Sequence, residues 1–475
     1  MYSKSSIYLS IIIAFLASAI LSYHYISKYD RLKTSTNNNL EHAMIKSAIG
    51  NHWVEADRIL KDIKSGKSYF ASGTERYDEF LPPRLLALYY YITGYEIFDS
   101  KIDITNNNDG SGSVAVDNGK LPYLIIKTLL YYLALLYFCK KIFSIFPLKN
   151  CFFIILFLAL EPSIFQYHSS FWNESLFITF EILLLSLLLD WSRNISKNIL
   201  IGFILGTMFT ISQEFFLYII PLIFYLFILF KKKSIKPILS LMLGYLLIFI
   251  VIGFHNYKRI GELNLMPTGS KTALYLYFAP QVLAEKNNSI VDQERKKMKE
   301  QAKIWIEKNN IDVILSTTGP EIIGGSIKNK NKYYDYLQKT ALKIIITNPF
   351  ISIKYAFKQS LHHLVLNPVH IKYFYQFEGK GGKYFRSETH KKWIPIRVTY
   401  SVIIYLVVFW GIIYSLKHMK KEIVFLLMIS VAYIIASFGW MGTPRYFVPA
   451  LIFLSIFFGN GIAAILNFNK LNISK

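Results

Sequence analysis

Cysteine is almost missing from this chain: 475 residues hold only Cys139 and Cys151, which excludes a disulfide framework. Acid is scarce as well, with 30 Asp and Glu against 53 Lys and Arg, a net charge of +23. No Walker loop, strand-linked GxGxxG, GxSxG elbow or paired CxxC is present. Nucleotide hydrolysis, Rossmann cofactor chemistry, serine-hydrolase chemistry and a structural zinc site therefore have no sequence basis. No internal repeat is visible, so the inverted-repeat signature of many secondary transporters is missing too.

What is abundant is apolar surface. Hydrophobic residues make up 53% of the chain and aromatics 16%, with a mean hydropathy of +0.33, beyond a soluble domain with an ordinary charged surface. Long apolar runs recur near the roughly 20 residues that cross a hydrocarbon core. They are unbroken rather than alternating, which excludes a membrane β-barrel. The expectation is an all-α polytopic membrane protein with about ten spans, near 6–26, 122–141, 150–168, 172–190, 199–212, 215–230, 237–254, 398–416, 422–439 and 446–466. In segments, residues 1–27 are the first transmembrane helix and 28–121 an outer loop with amphipathic helices. Residues 122–254 are helices two to seven, 255–397 a second outer segment and 398–475 the C-terminal helices.

The charge follows the membrane rather than a nucleic acid partner, which is not expected. Lys140, Lys141, Lys149, Arg193, Lys197, Lys231, Lys232, Lys233, Lys236, Lys417, Lys420 and Lys421 fall in the short loops of one side, and Arg445 alone in those of the other. The positive-inside rule then puts both termini in the cytoplasm and the two long segments outside, as in a bacterial-type inner or plasma membrane. The N-terminal run contains Ala17-Ser18-Ala19, which resembles a signal-peptidase site. Its length, however, suits an uncleaved anchor.

Within the first outer segment, residues 40–64 read as a helix whose stripe of Trp53, Ala56, Ile59, Leu60 and Ile63 suits a membrane surface. Pro82-Pro83 breaks the chain before a tyrosine-rich helix, and residues 105–119 read as a loop. The second segment holds a charged helix around DQERKKMKEQAKIWIEK and an apolar stretch around ALKIIITNPFISIKYAFKQSLHHL that reaches the bilayer without spanning it.

Acidic residues in the outer part carry the chemistry that is left. Glu55-Ala56-Asp57 and Asp78-Glu79 stand in the first outer segment. Asp57/Lys61 and Arg58/Asp62 are four apart, so the first stretch also reads as an exposed helix laced with weak ion pairs. Glu174 and Glu181 lie seven residues apart on one face of the fourth span, and Glu161 and His168 make a similar face on the third. An ionisable residue in a span is a functional candidate by default. His362, His363 and His370 match no strong metal-ligand spacing, and the lysine-rich stretches near 295–303 and 328–343 read as solvated faces.

Several stretches, taken in order, resemble one family. EPSIFQYHSSFWNESLFITFEILLLSLLLD is similar to an outer hairpin, HNYKRIGELNLMPTGSKTALYLYF to the segment leaving a seventh span, and ALKIIITNPFISIKYAFK and TPRYFVPALIFLSIFFGNGI to a late amphipathic helix and a last span. With the topology, they resemble the GT-C class of polyprenyl-phosphate-sugar-dependent glycosyltransferases, near the protein mannosyltransferase and aminoarabinose transferase relatives, glycosyltransferase family 39-like. The resemblance implies a GT-C-like bundle, a lipid-linked sugar donor, contact with membrane lipid, an extracytoplasmic acceptor and an extracytoplasmic active site. It implies a catalytic acid from Glu55, Asp57, Asp78 or Glu79, with Glu174 in the cavity. It also implies phosphate or substrate contacts from Arg84, Lys258, Arg259, Arg445 and His168. It names no particular cofactor and leaves a divalent cation beside the acids open. Ser212-Gln213-Glu214 stands where relatives often carry an arginine, a departure from the pattern. A transporter or flippase of lipid-linked glycans, and a polysaccharide polymerase or ligase, are the alternatives.

Overall fold

A computed structural model of the chain describes residues 4–31, 55–73, 80–95, 120–168, 174–261, 263, 265, 272, 274–315, 322–325, 327–365, 388–438 and 447–473. Helix dominates it. Helix α1 is Lys4–Arg31, α2 is residues 55–64, and α3 is Leu81–Thr93. Next come α4 (Lys120–Ile142), α5 (Leu148–Leu160), α6 (Pro162–His168), α7 (Glu174–Leu189), α8 (Ile195–Ile211), α9 (Ile219–Phe230) and α10 (Ile235–Ile260).

Among the described residues, five stretches are long and apolar enough to cross a membrane: Pro122–Ile142, Phe215–Lys233, Ile235–Arg259, Val398–His418 and Val448–Leu466. Ile7–Tyr23, Leu148–Leu160, Ser175–Leu189 and Ile195–Ile211 form shorter apolar helices. Their outer faces are greasy where a water-soluble bundle would be polar: Leu129 and Leu133 on α4, and Leu239, Leu243 and Ile250 on α10, are all more than half exposed.

The expected span at 150–168 is not one helix. Glu161 leaves the helical conformation (φ −62°, ψ 121°), and Pro162 then starts α6. The Glu161 carboxylate accepts hydrogen bonds from the backbone N–H of Ser163 and Ile164, each at 2.8 Å, and so caps the new helix. The carboxylate is buried but well supplied, since Ser163 Oγ and Tyr400 Oη also donate to it at 3.2 and 3.3 Å.

Between membrane helices the usual hydrophobic drive is absent, so close backbone approach and polar contacts decide pairing. Helices α8 and α10 make the most extensive contact of the fold. A Cβ on Gly202 would overlap the Leu241 carbonyl oxygen, and one on Gly244 the Ile199 carbonyl oxygen, so each helix rests its backbone on a glycine of the other. The same device recurs between α15 (Glu388–His418) and α17 (Val448–Ile473), through Gly411 against Phe457 and Gly461 against Val407. Helix α16 (Lys421–Phe438) joins them and packs on α9 and α17. A buried polar chain adds direction. Asn150 of α5 donates to Asn460 of α17 at 2.7 Å, and Asn460 donates to Ser415 of α15 at 2.9 Å. At the lysine-rich end, Asp190 after α7 accepts from Lys141 at 3.0 Å and pairs with Lys197 at 3.3 Å, which places loop cations from two different turns at one end of the bundle.

The segment after α10 has a small core of its own. Helices α11 (Ala279–Asn287), α12 (Val291–Lys308), α13 (Ile327–Thr347) and α14 (Pro349–Val365) follow a π-helical turn at Leu274–Phe278. Tyr275, Met298, Tyr333, Leu337 and Ala341 pack at its centre, and Tyr275 Oη donates to the Met298 carbonyl at 2.6 Å. The described residues are almost entirely helical, as the all-α expectation has it, and this segment adds one short hairpin. Strands β1 (Val313–Leu315) and β2 (Ile322–Gly325) pair antiparallel, with β-branched residues and terminal glycines that suit a short hairpin.

Candidate functional site

The site builds up where the segment between α1 and α4 returns onto the end of α10. Pro82 and Pro83 fill the first turn of α3, where missing N–H groups cost nothing, and Gly94 closes the helix in the left-handed conformation (φ 73°). The N–H of Phe80 donates to the Thr210 carbonyl at 2.8 Å, which docks the start of α3 on the end of α8. Arg84, one turn further, is thereby carried inward to 4% exposure.

Arg84 organises what surrounds it. Its Nη1 donates to the Tyr69 carbonyl at 2.7 Å and its Nη2 to the Ser72 carbonyl at 2.9 Å, fastening the loop between α2 and α3. Its Nη2 also lies 3.0 Å from the ring nitrogens of His255, one turn before the end of α10. His255 Nδ1 is 2.5 Å from the Phe70 carbonyl. A guanidinium only donates and a carbonyl only accepts, so Nδ1–H gives its proton to Phe70 and Nε2 accepts from Arg84. The Tyr69 and Phe80 rings cover the guanidinium at 5.1 and 4.8 Å. Burial, and then the like charge of Arg259, push the Arg84 pKa down to about 10, against the favourable fields of Tyr69 and Glu55. It stays charged at neutral pH.

Glu55 opens α2 on the inner side of this layer and is 3% exposed. Gly73 (φ 95°) lets the loop pass so close that a Cβ there would stand 2.7 Å from Glu55 Oε1 and 2.9 Å from Ile59 Cγ1. Only glycine combines that backbone with that clearance. Arg58 reaches Glu55 at 4.0 Å from the solvent side. Asp57 goes elsewhere. Two residues apart on a helix are about 200° apart around its axis, and Asp57, itself half-buried, pairs on another side of α2 with exposed Lys61 at 2.8 Å. The two acids of the Glu55-Ala56-Asp57 stretch do not share a site. Asp62 fixes the far end of α2. Burial raises its pKa, but the hydrogen bonds from Lys67 (2.6 Å) and the Gly73 N–H (3.0 Å) outweigh that and hold the carboxyl below the ordinary range.

The stripe of α2 was expected to rest on lipid. Ala56, Ile59 and Leu60 are instead at most 2% exposed, so these three pack on protein, while Ile63 is half-buried and Trp53 lies outside the described residues. That is the lower-cost burial once Arg84 has pulled the loop down onto α10 and α8.

The other expected site residues are dispersed. Arg259 is half-buried one turn beyond His255 and donates to Asn256 Oδ1 at 3.2 Å. Lys258 is exposed, its ammonium 5.6 Å from the Phe254 ring. His168 is buried in an aromatic box and stacks flat on Tyr131 at 4.0 Å, with Tyr132 and Phe165 edge-on. Glu174 is the first residue of α7, and only its backbone is described. Two turns on, Glu181 is wholly buried, and its carboxylate has no hydrogen-bond partner among the described residues. Asp78, Glu79 and Arg445 lie outside the described residues, as do His370 and the side chains of His362 and His363. Among the described residues no three His, Cys, Asp or Glu groups converge as metal ligands.

His255, Tyr69 and Gly73 were not anticipated. The signal for His255 was available, as an ionisable ring near the end of the most apolar candidate span. Fold and site together define a helical protein with membrane-length apolar helices and a buried Glu55, Arg84 and His255 cluster at the end of one of them. No protein-family model matches the chain, and no curated protein sequence matches it either.

Proposed function

We propose that this chain is a GT-C-like integral membrane glycosyltransferase with about ten transmembrane helices, both termini cytoplasmic and its site extracytoplasmic. It transfers a sugar from a polyprenyl-phosphate donor in the outer leaflet to a hydroxyl-bearing acceptor. The carrying observation is the Glu55 carboxylate, buried beside the Arg84 layer at the end of α10, while Asp57, two residues on, is engaged by exposed Lys61. The ordered resemblance of four long stretches supplies the reaction class.

In this reading Glu55 takes the proton of the acceptor hydroxyl as that oxygen bonds to the sugar C1. The bond from C1 to the lipid phosphate breaks, and polyprenyl phosphate leaves with the electron pair. Arg259 and Lys258, at the same end of α10, stabilise the phosphate, and Arg445 joins them. Arg84 holds the loop that presents Glu55. Glu174 lines the acceptor side, and Asp78-Glu79 is the reserve acid pair.

The test is mass spectrometry of surface glycans and lipid-linked sugars in a strain lacking the protein, complemented at equal expression with wild type, Glu55→Gln or Asp57→Asn. Wild type and Asp57→Asn restore a missing sugar and Glu55→Gln does not. Full restoration by Glu55→Gln removes Glu55 as the base. Accumulation of donor on the cytoplasmic face, without loss of a transferase product in detergent, would favour a flippase.

A further inference from the structure

Helices α13 and α14 meet at an elbow, Asn348-Pro349, where proline ends the first helix and begins the second. Across that elbow an apolar ridge runs unbroken. Ile346, Phe350, Ile353 and Phe357 follow each other at helical spacing and are 71, 87, 68 and 64% exposed. The opposite sides of the same helices are spoken for. Tyr333, Leu337 and Ala341 of α13 lie in the small core, while Ser352 and Ser360 of α14 are buried, the latter donating to the Ile435 carbonyl of α16 at 3.4 Å. The side of α14 away from the ridge is therefore seated on an apolar bundle helix.

Charge along this stretch has one sign. From Tyr336 to Val365 there is no acid, and Lys339, Lys343, Lys354 and Lys358 are all exposed. Lys343 stands one turn before Ile346, and Lys354 and Lys358 alternate with the ridge on α14. Lys354 is held by Glu285 of α11 at 2.8 Å, which fixes α14 against the small core. An apolar ridge bordered by lysines on long aliphatic stems is the pattern of a helix lying in a headgroup layer, with its rings among acyl chains and its ammonium groups at phosphates.

We propose that the α13–α14 elbow is an anionic-lipid anchor, Ile346, Phe350, Ile353 and Phe357 inserting into the leaflet while Lys343 and Lys358 meet acidic headgroups. It pins the small core of the second outer segment to the bilayer. This rests only on the membrane reading and is independent of the transfer chemistry.

Site-directed spin labelling of the full chain tests it, because Cys139 and Cys151 are buried. A nitroxide at Phe350→Cys is compared with one at Lys296→Cys, an exposed position on α12, in nanodiscs of phosphatidylcholine with or without phosphatidylglycerol. The expected result is a several-fold higher ratio of oxygen to nickel-chelate accessibility at 350 than at 296. The ratio rises with phosphatidylglycerol, and that rise is lost in Lys343→Gln plus Lys358→Gln. Equal nickel access at both positions overturns the proposal, since the ridge would then face water. Low access to both reagents with an immobilised spectrum also overturns it, because protein, such as a second copy, would cover the ridge. Insertion indifferent to phosphatidylglycerol overturns the headgroup assignment.

Discussion

Replacing Arg84 by alanine removes the ties that this side chain makes between the loop before α3 and α10. Three contacts go at once, to the Tyr69 carbonyl (2.7 Å), the Ser72 carbonyl (2.9 Å) and His255 (3.0 Å). A hydrogen bond from a charged donor contributes about 1.5–3 kcal/mol, and a buried acceptor left without its donor pays its desolvation cost. These terms overlap and do not add in full, so the cost to the loop is about 3–5 kcal/mol. With a factor of ten for each 1.4 kcal/mol, local opening becomes roughly a hundred to several thousand times more frequent. Hydrogen exchange by mass spectrometry in detergent reads this directly. Amides of residues 55–73 and 81–93 lose protection, while the α8–α10 pair, held by its glycines, keeps it. Arg84→Lys recovers part of the loss, since an ammonium lacks the fork that reaches two carbonyls and a ring together. Unchanged protection in Arg84→Ala would refute the clamp. The outcome also governs how activity data are read: a dead Arg84→Ala enzyme with a loosened loop says nothing about phosphate binding, whereas Glu55→Gln keeps the layer in place.

Other perturbations separate the levels of the fold. Gly202→Ala sets a methyl into the Leu241 carbonyl and is expected to cost about 1–3 kcal/mol, seen as a lower melting temperature in detergent; an unchanged midpoint would mean that α8 and α10 are not in backbone contact. Asn460→Leu breaks two buried interhelical hydrogen bonds and is expected to cost about 1–3 kcal/mol, at roughly 0.6–1.7 kcal/mol for each polar contact in a membrane; a stabilised variant would refute the network. Asp62 has a folded-state pKa below its unfolded value, so its contribution is complete above about pH 4 and is lost as pH falls through the lower folded value. Limited proteolysis at residues 62–73 should therefore accelerate in acid, and Asp62→Asn should flatten that profile; an unaltered profile would show that another group is responsible.

Part of this architecture is legible in the amino-acid sequence. The lysines around 140 and 197 are expected at one end of the bundle, and the structure brings Lys141 and Lys197 together on Asp190. Helices occupy the apolar stretches because length and continuity of apolar residues leave the backbone no other satisfied state in lipid. The break at Glu161 was written in Glu-Pro-Ser, an acid followed by a proline at the first helical position, but a hydropathy window averages over one turn and hides a cap. What covers an apolar stripe is not legible from the stripe: Ala56, Ile59 and Leu60 look the same whether lipid or protein buries them. That choice was made by Arg84, His255 and Gly73, which are far apart in the chain.

The fate of the Glu55-Ala56-Asp57 stretch shows how the two levels combine. Helical geometry alone separates the two acids, so the sequence already excluded their acting as a close pair once α2 was read as a helix. It could not decide which of them turns inward. Glu55 does because Ile59 and Leu60 share its side of the helix and are buried, and because Gly73 lacks the Cβ that would occupy the carboxylate's place. Substituting Gly73 by alanine should consequently expel Glu55 without touching its charge. The positive φ of 95° strains any side chain there, and the new methyl would meet Oε1 at 2.7 Å. If Glu55 is the base, Gly73→Ala loses sugar transfer as fully as Glu55→Gln while Asp57→Asn keeps it. If Gly73→Ala retains transfer with the loop shown to be displaced by hydrogen exchange, the acid that matters lies outside α2, and Asp78-Glu79 is the pair to mutate next.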